Sequence, residues 1–208
     1  MGYFLPVTVA EATAGLTEKN YLIVAGGTDF YPARADKPVR DDVMDISALN
    51  ELRTITIEEN QTRIGALATW TDIVEADLPD KFQGLKLAAR EIGALQIQNA
   101  GTVVGNLCNA SPAADGVPPL LTLNANIEIS SAAGRRVLPL QEFVLGNRRT
   151  ALREGEMVTA ILIPDDAAKA NGHFLKLGSR QYLVISFVMV ATLLEADANG
   201  SITQARIS

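Results

Sequence analysis

Two small-residue segments constrain this chain more than anything else in it. The first, Ala25-Gly26-Gly27-Thr28-Asp29-Phe30, ends the compact apolar run of residues 21–25. The second begins at Gly101 after a helical pattern and continues Thr102-Val103-Val104-Gly105-Asn106-Leu107-Cys108-Asn109-Ala110-Ser111-Pro112-Ala113-Ala114-Asp115. Both are rich in hydroxyl and amide side chains. Glycine permits positive φ and close backbone approach, so successive N–H groups can converge on an anion without a basic side chain. One Gly-Gly pair after a strand is by itself an ordinary turn; two such segments together suit a diphosphate. Neither is a Walker A loop, because no G-x-x-x-x-G-K-[ST] occurs, and neither gives the G-x-G-x-x-G of a Rossmann site. A different dinucleotide fold is required.

Charge narrows the field. Eighteen basic and 24 acidic side chains give a formal net charge of −6, so no overall positive field is present to hold nucleic acid or an anionic membrane surface. Cys108 and His173 are the single cysteine and histidine, too few for an intrachain disulfide, a structural zinc site or an iron–sulfur cluster. The first residues lack the charged and apolar regions of a signal peptide, which predicts a cytoplasmic protein. The longest nearly apolar stretch, residues 183–194, is shorter than the ~20 residues that span a bilayer. At 208 residues, 48% of them hydrophobic, the chain has material for one or two domains.

Periodicity divides it into three pieces. Thr8 with Glu11 fits a capping box opening a helix to about Glu18, followed by a buried strand over 21–25 and another over 43–46. This predicts a small α/β lobe, residues 1–53. Residues 54–57 and 63–66 alternate as a hairpin does. Leu85, Ala88, Ala89, Ile92 and Leu95 recur at helical spacing, predicting an amphipathic helix over 84–96. A proline-started helix over 118–124, a hairpin over 126–130 and 136–140 turning at Gly134, and a strand over 157–163 closed by Pro164 complete an α+β lobe, residues 54–168. Residues 169–208 read as three strands over 174–177, 187–196 and 202–207. The middle one is apolar on both faces, which a few uncovered strands cannot bury, so a further segment or another subunit is expected to cover this sheet.

At these residues the sequence resembles the FAD-binding (medium) subunit of the molybdenum hydroxylases, the xanthine dehydrogenase and carbon monoxide dehydrogenase family. The resemblance rests on Ala25-Gly26-Gly27-Thr28-Asp29, Ile64-Gly65-Ala66, Gly105-Asn106, Asn109-Ala110-Ser111-Pro112-Ala113-Ala114-Asp115, Pro118-Pro119-Leu120, Glu156 with Ile161-x-Ile163-Pro164, and Lys176-x-x-x-Arg180. It implies an α+β fold: a two-lobed FAD-binding domain of the PCMH or vanillyl-alcohol-oxidase type, followed by the start of a smaller α+β C-terminal domain of the CO-dehydrogenase flavoprotein type. It further implies that Ile23, Val24, Ala25, Gly26, Gly27, Thr28, Asp29 and Phe30, with Thr102, Gly105 and Asn106, flank the FAD diphosphate. Asn109, Ser111, Ala114 and Asp115 would serve the diphosphate and ribose region. Ile92 would lie near the adenine, Val158 against the isoalloxazine and Lys176 near the flavin. The chain departs from the family at Val104, where a second glycine is usual; a Cβ there is expected to displace the loop or change its tilt.

The function so implied is that of an oxidoreductase subunit. Electrons would come from a [2Fe–2S] small subunit and pass to NAD or another acceptor, with a molybdopterin large subunit oxidising the substrate in a heterotrimer or its dimer. No catalytic residue and no metal ligand is assigned to this chain. Two alternatives stand beside it: a stand-alone flavin oxidase of the vanillyl-alcohol-oxidase type, for which 208 residues leave no room for a large cap, and a scaffold that has lost FAD, motivated by Val104. Cys108 and His173 read as packing and surface residues, and Trp70 and Phe143 as core aromatics. Glu58, Glu59, Asp165 and Asp166 read as solubilising turn residues, and Arg135, Arg136, Arg148, Arg149 and Arg153 as solvated charge.

Overall fold

A computed structural model of the chain describes residues 2–34, 37–180 and 184–208. Its first unit comprises β1 (Tyr3–Phe4), α1 (Val9–Glu18), β2 (Leu22–Val24) and β3 (Val43–Asp45), with the strands parallel in the order β1-β3-β2. Thr8 caps α1, its hydroxyl accepting from the Glu11 amide at 3.1 Å. The Glu11 carboxylate accepts from the Val7 amide at 2.8 Å instead of returning to Thr8, so the cap is one-sided and not the expected box. β2 also departs from expectation. It is an edge strand with Leu22 and Ile23 exposed and Val24 buried, because β3 takes the centre of the sheet and carries the fully buried Met44.

The second unit begins with the expected hairpin, β4 (Ile55–Ile57) and β5 (Gln61–Gly65). Helices α2 (Trp70–Glu75), α3 (Gln83–Glu91), α4 (Leu95–Ala100), α5 (Val103–Asn109) and α6 (Val117–Thr122) follow. Then come β6 (Asn126–Ser131), β7 (Gly134–Pro139), α7 (Leu140–Phe143), the small pair β8 (Val144–Gly146) and β9 (Arg149–Thr150), and β10 (Met157–Pro164). The antiparallel order β4-β5-β10-β6-β7 places β10 in the middle. Ile161 lies between Ile64 and Ile127, all three fully buried, and Trp70 and Phe143 are core aromatics as expected. The predicted helix over 84–96 is broken. Gly93 adopts φ +56° after Ile92 ends α3, which redirects the chain into α4.

The third unit is an antiparallel meander of β11 (Asn171–Leu177), β12 (Val188–Ala196) and β13 (Ile202–Ile207), turning at Gly200 with φ +81°. Phe174, Ala191 and Leu193 are buried on its inner face, against α3 and α6. On the outer face Leu175 pairs with Val190, Leu177 with Val188 and Thr192 with Ile207, and Leu175 and Ile207 are 66% and 70% exposed. The strand read as apolar on both faces therefore has one face covered; Leu183, where that apolar run begins, lies outside the described residues. Asp165 and Asp166 do more than solubilise a turn. Asp165 pairs with the buried ammonium of Lys81 at 2.7 Å, and Asp166 with Arg206 of β13 at 3.0 Å, which ties the connector to the sheet that follows it. No helix among the described residues is long and apolar enough to cross a membrane.

Candidate functional site

The two small-residue segments meet. A Cβ at Gly26 would lie 1.7 Å from the Ala100 carbonyl oxygen, so only glycine lets the turn after β2 rest on the backbone at the end of α4. Gly101, the next residue, packs beside the Thr28 hydroxyl and the Trp70 ring. Gly27 holds φ +69°, and its carbonyl accepts from the Tyr31 amide at 3.1 Å. Among the described residues none of the amides of Gly26, Gly27, Thr28, Asp29 and Phe30 donates a hydrogen bond within the chain. A run of unengaged N–H groups around a positive-φ glycine is the backbone arrangement that binds anions. Phe30 stands edge-on to Tyr31 with ring centroids 5.1 Å apart, and the Arg34 guanidinium lies 3.8 Å from the Phe30 ring centre.

Within the second segment the sequence reads as loop, yet Val103–Asn109 is helical. Thr102 is its N-cap: the hydroxyl accepts from the Gly105 amide at 2.9 Å, so that amide is engaged. A Cβ at Gly105 would come within 2.7 Å of the same hydroxyl, so the glycine keeps the cap close. Val104, the departure from the family pattern, is 5% exposed and packs in the main core. Cys108 packs against that core, and burial pushes its thiol up to about 12, which leaves no thiolate at neutral pH. Ala110 ends α5 in the left-handed region at φ 45°, and the Ser111 hydroxyl accepts from the Ala113 amide at 3.3 Å.

Beyond the turn, Asp115 is buried and its Oδ2 accepts from Lys176 Nζ at 2.7 Å. Burial raises the Asp115 carboxyl pKa, with a small push from Glu91, and the ion pair with Lys176 opposes the rise. Two buried oxygens lack a partner: Oδ1 of Asp115 and Oδ1 of Asn106. The Asn106 oxygen lies beside Gly116, the residue after Asp115: a Cβ there would lie 3.0 Å from Asn106 Oδ1 and 2.6 Å from Trp70. Trp70 therefore floors both Gly101 and Gly116. Orphaned acceptors call for a donor such as a hydroxyl or amino group, not for a phosphate oxygen.

The structure thus brings Gly26 and Thr28 to Ala100 and Gly101, Asn106 to Gly116, and Asp115 to Lys176. The other expected residues are less tightly drawn in. Ile23 is exposed on the edge of β2, Ala114 is buried in the turn, and Ile92 is half-buried at the end of α3, its carbonyl accepting from Gln98. Val158 is buried on β10 inside the main core, paired with Ile129. The Asn109 side chain accepts from Arg148, a residue with φ 57° at the β8–β9 turn, whose amide also donates to the Ala110 carbonyl at 2.8 Å. Sequence reasoning missed Arg148, since nothing local marks one arginine in a basic stretch as folded back. It also missed the contacts of Trp70; the glycines at 101 and 116 were the available signal, because each leaves room for a ring.

The family described as "FAD binding domain in molybdopterin dehydrogenase" matches residues 1–166. The nicotinate dehydrogenase FAD-subunit of Eubacterium barkeri is 36% identical over 211 residues, covering 98% of this chain and 71% of the relative. The xanthine dehydrogenase FAD-binding subunit of Escherichia coli O157:H7 is 32% identical over 212 residues, covering 99% and 72%. Among solved structures, a chain of carbon monoxide dehydrogenase from Hydrogenophaga pseudoflava superposes with a TM-score of 0.91 at 26% identity, covering 100% of this chain and 73% of that one. Quinoline 2-oxidoreductase from Pseudomonas putida 86 gives 0.87 at 25%, covering 100% and 72%. With mixed helix and sheet throughout, two converging glycine segments and these relatives, the chain belongs to the FAD-binding domain family of the molybdopterin dehydrogenases, a family of oxidoreductases that includes the xanthine and carbon monoxide dehydrogenases.

Proposed function

We propose that this chain is the FAD-carrying electron-transfer part of a molybdenum hydroxylase, and that its cofactor lies along the path from the Gly26–Phe30 turn past Trp70 to Asp115. The observation that carries this reading is the run of unengaged amides at residues 26–30 seated directly on the second segment. The amides would hold the diphosphate, helped by the Thr28 hydroxyl and bounded by Thr102 and Gly105. The orphaned oxygens of Asn106 and Asp115 would accept from sugar hydroxyls. Asn109, Ser111 and Ala114 would shape the turn between them, Ile92 would lie toward the adenine, and Val158 and Lys176 toward the isoalloxazine end. When bound, FAD supplies a centre that accepts electrons singly and releases them in pairs.

The protein's share of the work is binding, orientation and exclusion of water. Residues 1–53 and 54–168 would form the two lobes of a PCMH-type domain, and residues 169–208 part of a CO-dehydrogenase flavoprotein-type domain. Electrons would enter from a [2Fe–2S] subunit and leave to NAD or another acceptor, while a molybdopterin subunit selects the substrate. Visible absorption of the purified protein, with chromatography of any cofactor released by heat, tests the reading. Flavin bands and released FAD are expected; a colourless protein that takes up no added FAD overturns it. Substrate oxidation by the chain alone would replace electron relay with a self-contained oxidase.

A further inference from the structure

Among the described residues three that are not glycine hold positive φ: Ala110, Asn124 and Arg148. Asparagine tolerates that region, whereas alanine and arginine adopt it only where their surroundings impose it. Those two are bonded to each other. The Arg148 amide donates to the Ala110 carbonyl at 2.8 Å, and the guanidinium donates to both the carbonyl and the side-chain oxygen of Asn109. Arg148 lies in the turn between β8 and β9, two residues after Gly146 with φ +143°. The tip of that hairpin seals no apolar surface: residues 145–149 are exposed, Leu145 by 54%. What Arg148 grips is the point where the second segment reverses, because α5, which carries Asn106, is capped by Ala110, and Ser111 to Asp115 start there. Backbone strain kept at an exposed tip, away from any core, points to a positioning task.

We infer that Arg148 is a positioning residue of the candidate site: from the β8–β9 hairpin it fixes the left-handed reversal at Asn109–Ala110, and so sets where Ser111 and Asp115 stand relative to Asn106. This rests on the FAD reading above. The stretch beyond the reversal is braced internally, so a displacement at Ala110 carries through it. The Ala113 amide donates to the Ser111 hydroxyl at 3.3 Å, the Ala114 amide to the Ser111 carbonyl at 3.1 Å and the Val117 amide to the Ala114 carbonyl at 3.1 Å. Asn109 then serves the site through Arg148, which occupies its side-chain oxygen. A turn held in its bound shape beforehand spares the ligand the cost of ordering it.

The experiment is FAD titration by flavin fluorescence on the full chain at several salt concentrations, with thermal melts and amide exchange of each apo-protein. The variants are Arg148→Met, Arg148→Gly, Asn109→Ala and the Arg148→Met/Asn109→Ala pair. Arg148→Met should weaken FAD binding about fivefold, the loss expected when one hydrogen-bonded turn is left unheld. Its salt dependence should match wild type, because the guanidinium does not meet the diphosphate, and the Ala113 and Ala114 amides should exchange faster before any ligand is added. Arg148→Gly should lose the same affinity yet melt above Arg148→Met, since glycine takes positive φ freely. Asn109→Ala should add little to Arg148→Met. A flatter salt dependence in Arg148→Met would mean that the guanidinium touches the ligand, additive losses would mean that the two residues act separately, and affinities that simply follow melting temperature would mean a role in the fold alone; each overturns the inference. Should Arg148→Met fail to fold, Arg148→Gly decides: weaker binding at an unchanged salt dependence supports positioning, and wild-type affinity rejects it. Wild-type protein that takes up no FAD sinks both readings, whereas wild-type uptake with an indifferent Arg148→Met sinks only this one.

Discussion

β10 and β12 are both apolar on both sides, yet they end in opposite circumstances. β10 sits between β5 and β6 and is buried along most of its length, with α5 packed against it. β12 sits between β11 and β13, but only Ala191 and Leu193 are sealed, while Val188 and Val190 face outward beside Leu175 and Leu177. An apolar face states a need for a cover without naming the cover. The five-stranded sheet finds its cover within the chain; the terminal sheet finds half of one, in α3 and α6.

The largest effect should come from the sealed sheet. Ile161→Ala removes a side chain packed between Ile64 and Ile127, and should cost about 4 kcal/mol of global stability, measured by urea unfolding. A cost under about 1 kcal/mol would mean that the central sheet is not the chain's main core. Phe174→Ala strikes the inner face of the terminal sheet, where Phe174 packs with Ala88 and Ala191 in a small separate cluster. About 3 kcal/mol is expected there, as a local loss. Hydrogen exchange should show β11–β13 amides losing protection while β5, β6 and β10 keep theirs; uniform loss across both sheets would erase the distinction between them.

Much of this contrast was legible beforehand. Alternation at 54–66 and 126–140 gave both hairpins, and the turn residues Gly134 and Gly200 marked where strands reverse. The misses share a physical origin in tertiary context. Residues 84–96 carry an unbroken apolar stripe, but the chain needs a turn at Gly93 to bring Ala100 against Gly26. Residues 21–25 are apolar enough for a central strand, yet parallel pairing places β3 in the middle. At the site, the two glycine segments were visible as composition and were expected to meet around one diphosphate, but the direct seating of Gly26 on Ala100 was not visible, because it depends on a backbone contact between residues far apart in sequence. The helix over Val103–Asn109 was hidden for a related reason: Thr102 and Gly105 read as loop chemistry until the hydroxyl is seen capping the amide.

A smaller effect separates the two regions by pH. Glu156 lies in the second unit and accepts two bonds of 2.7 Å from Arg136 of β7, which hold its carboxyl below the ordinary 4.5. A depressed folded-state value stabilises the protein above the unfolded value, and that stability is lost as pH falls through the folded one. Asp115, beside the terminal sheet, has the opposite sign: its raised carboxyl gains stability as pH falls toward and below its folded value. Glu156→Gln should therefore cost about 1 kcal/mol at neutral pH, since the guanidinium is partly open to solvent and its attraction is screened. Urea melts repeated at decreasing pH should show the gap between wild type and Glu156→Gln closing below the ordinary carboxylate range; a gap that stays constant would assign the effect to packing and not to charge.

The smallest effect is the one that tests the comparison most directly. Leu175 and Val190 are neighbours across the β11–β12 ladder and both point to the bare face, 66% and 39% exposed. If that face meets water, replacing both by threonine leaves a β-branched residue, which strands favour, at each position and removes little buried area, so each change should stay within about 0.5 kcal/mol. Sedimentation of the same variant should then show less self-association than wild type, because two exposed apolar side chains of the bare face have been removed. A loss well above 1 kcal/mol would carry the opposite lesson. It would mean that Leu175 and Val190 are already buried in solution by a second surface, and that the terminal sheet is sealed on both faces as β10 is.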